Sequence, residues 1–328
     1  MKAVVYTQYG TPDVLRLEEV EKPTPKDNEV LIKVVAASLN AADGYFLKGN
    51  PVFLRLTHGF LKPKNTILGS DVAGRVEAVG SKVTQFQPGD EVFGDLSESG
   101  LGGFAEYVCA RETALTLKPA FLSFEQAASM PMAAVTALQG LRDQGKIQPG
   151  HKVLIHGASG GVGTFAVQIA KALGAEVTGV CSSRKLDLVR SLGADYVLDY
   201  IREDFTQNRQ RYDLILAVNG NRSIFEYRRS LSARGNLVMV GGAMGQIFQT
   251  LLLGPLLSAT GSQKMGSLFA KPNPGDLNFI KQLLETGQVV PMIDKRYPLS
   301  ELADAFRYLE GGHARGKVVV GIPIDSVA

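Results

Sequence analysis

A chain of 328 residues, 45% hydrophobic, can bury a large core and has room for two domains at ~150 residues each. Its 35 basic and 32 acidic residues leave a net charge of +3, spread along the chain, which argues against a nucleic-acid stripe or a polybasic membrane segment. No apolar run spans a bilayer, no secretory start is evident, and two cysteines, Cys109 and Cys181, are too few for a disulfide framework or a cysteine-rich zinc site. A soluble, cytoplasmic protein is expected.

The first third reads as β-structure. Residues 2–6, 14–20, 29–39, 72–80, 90–95 and 103–110 are short and β-branched. Turn clusters such as Pro23–Pro25 and the QPGDE of residues 87–91 separate them, the punctuation of a barrel or sandwich. Residues 50–68 are apolar and basic without a period, which suits either a packed loop or a wall of a substrate cleft. From about residue 122 the pattern changes. Strand-like segments at 153–156, 176–181, 195–199, 213–218 and 236–240 alternate with helical ones at 163–173, 184–192 and 224–231. That alternation predicts βαβ units and a parallel sheet covered on both faces. Residues 276–287 read as a helix stopped by Gly287. Another spans 300–312, with Ser300 as N-cap and Gly311 at its stop, and 317–322 is a final strand.

Between the first of these strands and its helix stands Ala158-Ser159-Gly160-Gly161-Val162-Gly163, preceded by Gly157. It occupies the place of G-x-G-x-x-G, with alanine for the first glycine. Such a turn needs glycine so that the chain can reverse tightly, approach a pyrophosphate and pack its helix on the sheet. Amides at the helix start then face the anion. Folds selective for NAD place an acid after the second strand to accept from the ribose 2′-hydroxyl. Here that strand runs into Ser182, Ser183, Arg184 and Lys185, hydroxyls and cations that suit a 2′-phosphate. The expected cofactor is NADPH.

The order of parts, a β-barrel followed by a dinucleotide fold with a returning C-terminal segment, resembles the medium-chain dehydrogenase/reductase superfamily in its zinc-free quinone oxidoreductase branch. The resemblance covers essentially the whole chain. It rests on SLNAAD (38–43), GSDVAGRVEAVG (69–80), QPGDEVFG (87–94), GGFAEYV (102–108), AAVTALQGL (133–141), GASGGVGTFAVQIAKALGA (157–175), LGADYVLDY (192–200) and ARGKVVV (314–320). It implies an α/β architecture: a GroES-like catalytic domain from residues 1–121 and 288–328, and a doubly wound Rossmann domain from 122–287. Zinc-dependent relatives bring a cysteine and a histidine–glutamate pair to a catalytic metal. The matching positions here hold Asn40 and Ser70-Asp71, and the structural four-cysteine loop is replaced by residues 96–107, so no metal is expected.

Position by position, the resemblance implies that Asn40, Asp43 and Tyr45 line the nicotinamide end and form the catalytic set, with Thr136 beside the nicotinamide. It puts Gly160, Gly161 and Val162 on the pyrophosphate, and Ser182, Lys185 and Tyr200 on the adenosine ribose and 2′-phosphate. Asn219, Gly241 and Gly242 bring backbone to the nicotinamide ribose and carboxamide, and Lys317 closes on the cofactor. Taken singly, Asp43 also reads as a turn cap, Tyr200 as core and Lys317 as a solvated cation.

Without a metal, a localised alkoxide loses a Lewis acid worth several kcal/mol. A quinone or enone instead gives a delocalised phenolate or enolate, for which Asn40 and the Tyr45 hydroxyl are candidate donors. The expectation is an NADPH-dependent reductase of quinones or α,β-unsaturated carbonyls, a homodimer joined through its nucleotide domains, with no nucleic-acid partner. Two alternatives are a non-catalytic NADPH-binding sensor or scaffold, and a zinc alcohol dehydrogenase, which the missing ligands oppose.

Overall fold

A computed structural model describes residues 1–323; the expected returning segment therefore extends, over 324–328, beyond the described residues. The chain divides into two compact units. One comprises residues 1–132, 272–278 and 291 onward, and the other 133–271 and 279–290. The first crossing falls at Met132/Ala133, where the sequence reading puts 121/122.

The first unit is organised around strand Glu29–Leu39. It pairs antiparallel with Asp71–Val79, Tyr107–Arg111 and the late strand Lys317–Gly321. Beyond these, Glu91–Asp95 and Leu115–Leu117 extend one side of a seven-stranded sheet, and Ile293–Pro298 lies parallel to Lys317–Gly321 on the other. Val30, Ile32, Val34, Leu39, Val72 and Val76 are buried, the β-branched and leucine fill that a pleated core favours. Helix Leu302–Glu310 covers this core with Leu302, Ala305 and Phe306, an i, i+3, i+4 stripe. Phe306 meets Phe104 edge-on at 6.0 Å between centroids. The helix does not start on Ser300, which belongs instead to the 3₁₀ turn Leu299–Glu301.

The second unit holds a six-stranded sheet. Its strands are β1 (Lys152–His156), β2 (Glu176–Cys181), β3 (Tyr196–Asp199), β4 (Tyr212–Ala217), β5 (Leu231–Met239) and β6 (Lys264–Ser267). All pairings are parallel, in the order β3-β2-β1-β4-β5-β6, so the order reverses between β1 and β4. In open α/β sheets of this kind, ligands bind outside the carboxyl ends of the strands at that reversal. Helix α1 (Gly161–Ala172) follows β1 and buries every residue from Gly163 to Ala170. The sequence reading contained neither β6 nor helix α2 (Met244–Thr260), which carries Pro255 inside it. Gly254 lets α2 approach the sheet: a Cβ there would stand 2.7 Å from the Met265 carbonyl oxygen.

Candidate active site

At the end of β1 the backbone of Gly157 takes φ +95°, a region closed to most side chains. A Cβ there would come within 3.0 Å of Asn219. At Gly163 a Cβ would lie 2.1 Å from the Gly157 carbonyl oxygen, so only glycine lets α1 sit against the turn it leaves. Gly160 is the N-cap of α1, and Thr164 N–H donates to its carbonyl at 2.9 Å. The N–H groups of Gly161, Val162 and Gly163 thus precede the first intrahelical bond and need an outside acceptor. The helix dipole gives them a preference for an anion. This shape and chemistry fit a dinucleotide pyrophosphate.

The other predicted nucleotide residues of this unit fall around the same strand ends. Asn219 follows β4, and its N–H bonds the His156 carbonyl at 3.1 Å. Gly241 and Gly242 follow β5 and run beside Gly220, with Gly220 N–H donating to the Gly241 carbonyl at 2.9 Å. Gly242, at φ +127°, has no room for a Cβ, which would meet the Gly220 carbonyl at 2.1 Å. Thr136 lies inside helix Pro131–Leu138 and is buried.

After β2, Ser182 caps a 3₁₀ turn formed by Ser183, Arg184 and Lys185. Arg184 is exposed. Sequence reasoning missed Asp199, which the parallel register sets opposite Cys181 at the end of β2. The Ser183 hydroxyl donates to the Asp199 carboxylate, and this bond, with the Ile201 N–H, holds that carboxyl below its ordinary range. Ser183 is therefore committed inside the protein. Tyr200 is 49% exposed beside them, so it is not core.

His156, the last residue of β1, is buried, with its Nδ1 2.7 Å from the Tyr227 hydroxyl and its ring edge-on to Phe205. Burial pushes its pKa down to about 4. The unfolded chain, with a value near 6.5, then binds the extra proton first, so this residue's contribution is complete above pH 6.5 and is lost toward pH 4. At roughly 1.4 kcal/mol per pKa unit, the loss is at most about 3 kcal/mol. Urea unfolding of His156→Asn should show a shallower fall in stability between pH 6.5 and 4.5 than the native chain. Parallel curves would show that the imidazole does not titrate with unfolding.

In the first unit, the residues at the zinc-ligand positions form a buried polar cluster instead. Cross-strand register sets Asp71 opposite both Ser38 and Asp95, and Asn40 caps helix Ala41–Lys48 just beyond. Asp71 accepts from Met132 N–H at 2.9 Å through Oδ1, and from Asn40 Nδ2 at 2.9 Å and Ser38 Oγ at 3.1 Å through Oδ2. Lys317 Nζ bonds Asn40 Oδ1 at 2.6 Å and Asp71 Oδ2 at 3.2 Å. Lys317 is 3% exposed; it is not solvated. Asp43 closes the helix start by accepting from the Asn40 N–H at 2.8 Å, as its reading as a cap implies. Burial first, then the Asp71 charge, pushes Asp43 up to about 7. The same two causes raise Asp95 to about 7. Tyr45 lies on this helix and is 37% exposed. Two residues from buried Asp43, it occupies a different helical face.

A catalytic zinc requires at least three nitrogen, sulfur or oxygen ligands. Among the described residues no group of three His, Cys, Asp or Glu side chains could hold a metal ion. An ammonium already lies on the two side chains, Asn40 and Asp71, that would have to turn to it. These residues do not fit zinc.

Two family models match the chain: an alcohol dehydrogenase GroES-like domain over residues 26–120 and a zinc-binding dehydrogenase over 192–320. The 2-methylene-furan-3-one reductase of Solanum lycopersicum is 37% identical over 98% of this chain and 79% of its own length. The chloroplastic NADPH-dependent alkenal/one oxidoreductase of Arabidopsis thaliana is 36% identical with the same coverage. Among solved structures, the quinone oxidoreductase of Coxiella burnetii superposes with a TM-score of 0.88 at 33% identity, covering 98% of this chain and 99% of that one.

Proposed function

Because this chain belongs to the medium-chain dehydrogenase/reductase superfamily, in its quinone oxidoreductase-like branch, we propose that it is an NADPH-dependent reductase of quinones or α,β-unsaturated carbonyls. When bound, the cofactor supplies a hydride. The Gly161–Gly163 amides hold its pyrophosphate, Ser182, Arg184, Lys185 and Tyr200 its adenosine 2′-phosphate end, and Asn219, Gly241, Gly242 and Thr136 its nicotinamide half. Asn40 faces the acceptor, Asp43 holds the helix start that carries it, and the partly exposed Tyr45 hydroxyl is a further candidate donor. The observation that carries this reading is the polar cluster in place of a metal: it offers a neutral amide donor, suited to a delocalised oxyanion rather than a localised alkoxide. Solvent returns the final proton.

The experiment is a screen of cofactor oxidation against quinones, enals, enones and saturated aldehydes. Turnover is expected with the conjugated acceptors, and turnover confined to saturated carbonyls would refute the assignment. NADPH should bind more tightly than NADH by roughly 1–3 kcal/mol, the worth of charge-assisted bonds to the 2′-phosphate. Arg184→Ala should narrow that gap without unfolding the protein. Equal affinities by fluorescence titration would remove Ser182, Arg184 and Lys185 from the phosphate site. No described helix is long and apolar enough to cross a membrane. A cytoplasmic setting is supported by the two free cysteines, and a homodimer by β6, an edge strand of the six-stranded sheet.

A further inference from the structure

The Asn40 carboxamide has two possible orientations, which exchange its oxygen and its NH₂ group. Its neighbours decide between them. An ammonium has donors only and an ionised carboxylate acceptors only. Lys317 Nζ at 2.6 Å can be satisfied only by the amide oxygen, and Asp71 Oδ2 at 2.9 Å only by the amide nitrogen. Turning the amide over would set NH₂ against ammonium and oxygen against carboxylate. The Lys317–Asp71 pair therefore selects one orientation, and it is itself joined at 3.2 Å, with both side chains almost fully buried. In that orientation one N–H of Asn40 is taken by Asp71. The other has no protein acceptor among the described hydrogen bonds.

We propose that Lys317 is a positioning residue of the reductase: its ammonium, seated on Asn40 Oδ1 and Asp71 Oδ2, locks the Asn40 carboxamide so that one N–H remains available to the oxygen of the reduced acceptor. This rests on the reading that Asn40 meets the acceptor. The device sits where zinc-dependent relatives bring metal ligands, and it performs a different task. Rather than touching the reacting oxygen, the cation fixes a neutral donor and polarises it, since hydrogen-bond chains strengthen one another in a low-dielectric interior. Asp71 pairs with the ammonium and blocks the competing orientation.

Four variants test this: Asn40→Ala, Lys317→Met, the charge-neutral pair Lys317→Met/Asp71→Asn, and that pair combined with Asn40→Ala. The neutral pair leaves no buried charge unpartnered, so it decides the matter if Lys317→Met alone fails to fold. Single-turnover reduction by the neutral pair should slow by roughly tenfold to a hundredfold, with NADPH affinity within about twofold of the native chain, because the loss falls on transition-state stabilisation. Adding Asn40→Ala should cost nothing further, since Lys317 acts through that amide. In asparagine-labelled protein without substrate, the Asn40 side-chain amide signals, identified by their absence in Asn40→Ala, should shift or broaden in the neutral pair. A native rate in the neutral pair beside a slow Asn40→Ala would overturn the positioning role alone. A native rate in Asn40→Ala would overturn the role of Asn40 and this inference together. Fully additive losses, or unchanged amide signals, would also overturn it.

Discussion

Gly163→Ala is expected to separate helix α1 from the turn that aims it. The added carbon would stand 2.1 Å from the Gly157 carbonyl oxygen and 2.7 Å from the Ala158 carbonyl carbon. Both are backbone atoms, which cannot step aside as a flexible side chain would, so the helix start must move. Overpacking of this kind costs roughly 1–3 kcal/mol, and the upper end is expected here. The larger effect is on the cofactor. The amides of Gly161–Gly163 bind an anion only while aimed together, and two charge-assisted bonds at about 1.5–3 kcal/mol each predict NADPH weakened by a hundredfold or more. Gly160→Ala supplies the contrast: its Cβ would meet nothing closer than the Gly157 carbonyl oxygen at 3.8 Å, and its backbone is extended. That variant should keep its melting temperature and lose less NADPH affinity than Gly163→Ala, because the helix start need not move. Native NADPH affinity in Gly163→Ala would show that the turn does not serve a dinucleotide.

Asp71→Ala should be strongly destabilising to the first unit. It strands the Lys317 ammonium in the interior and removes the acceptor of Met132 N–H, Asn40 Nδ2 and Ser38 Oγ. Breaking a buried ion pair from one side costs about 3–5 kcal/mol, a large share of a typical domain's stability. Asp71→Asn, which keeps an acceptor, should lose clearly less. The Asp71 charge also helps raise Asp43 and Asp95. Raised values mean that the folded chain binds protons the unfolded chain has released, so these two groups erode stability as pH climbs from about 4 to 7. In Asp71→Ala that erosion should shrink. Urea unfolding across this range measures both effects, and a loss under about 1 kcal/mol at neutral pH would mean that the pair is not a structural keystone.

The glycine turn was legible because its requirement is steric and local: Gly157 and Gly163 must lack a side chain whatever the rest of the chain does. The alternation of strands and helices was legible for the same reason, since β-branched runs and amphipathic runs announce their own period. Strand β6 was not, because Lys-Met-Gly-Ser has no β-branched residue and is a strand only by pairing with β5. Helix α2 hid behind Gly254-Pro255, a local breaker overridden by packing. The helix carrying Tyr45 did leave a signal: Asn40 and Asp43 have the spacing of a capping box, and Gly49 at φ +55° closes the same helix. Two acidic partners escaped the sequence entirely. Asp199 reaches Ser183 only through the β2–β3 register, and the Asp71–Lys317 pair spans 246 residues. Long-range charge pairing follows from topology, and topology is what periodicity does not specify.

The antiparallel seam between Glu29–Leu39 and Lys317–Gly321 also fixes an order of events during biosynthesis. A nascent chain emerges from the ribosome at roughly 5–20 residues per second, and units fold as they become complete. The second unit has its entire sheet once β6 has emerged, well before residue 317 exists. The first unit, although it begins earlier, must wait with Ala36–Leu39 of its central strand unpaired on one side. During that wait Asp71 lacks Lys317. Lys317 is thus both the cation of the cluster and the last part delivered to it, so the buried carboxylates can close over their site only once residue 317 has emerged.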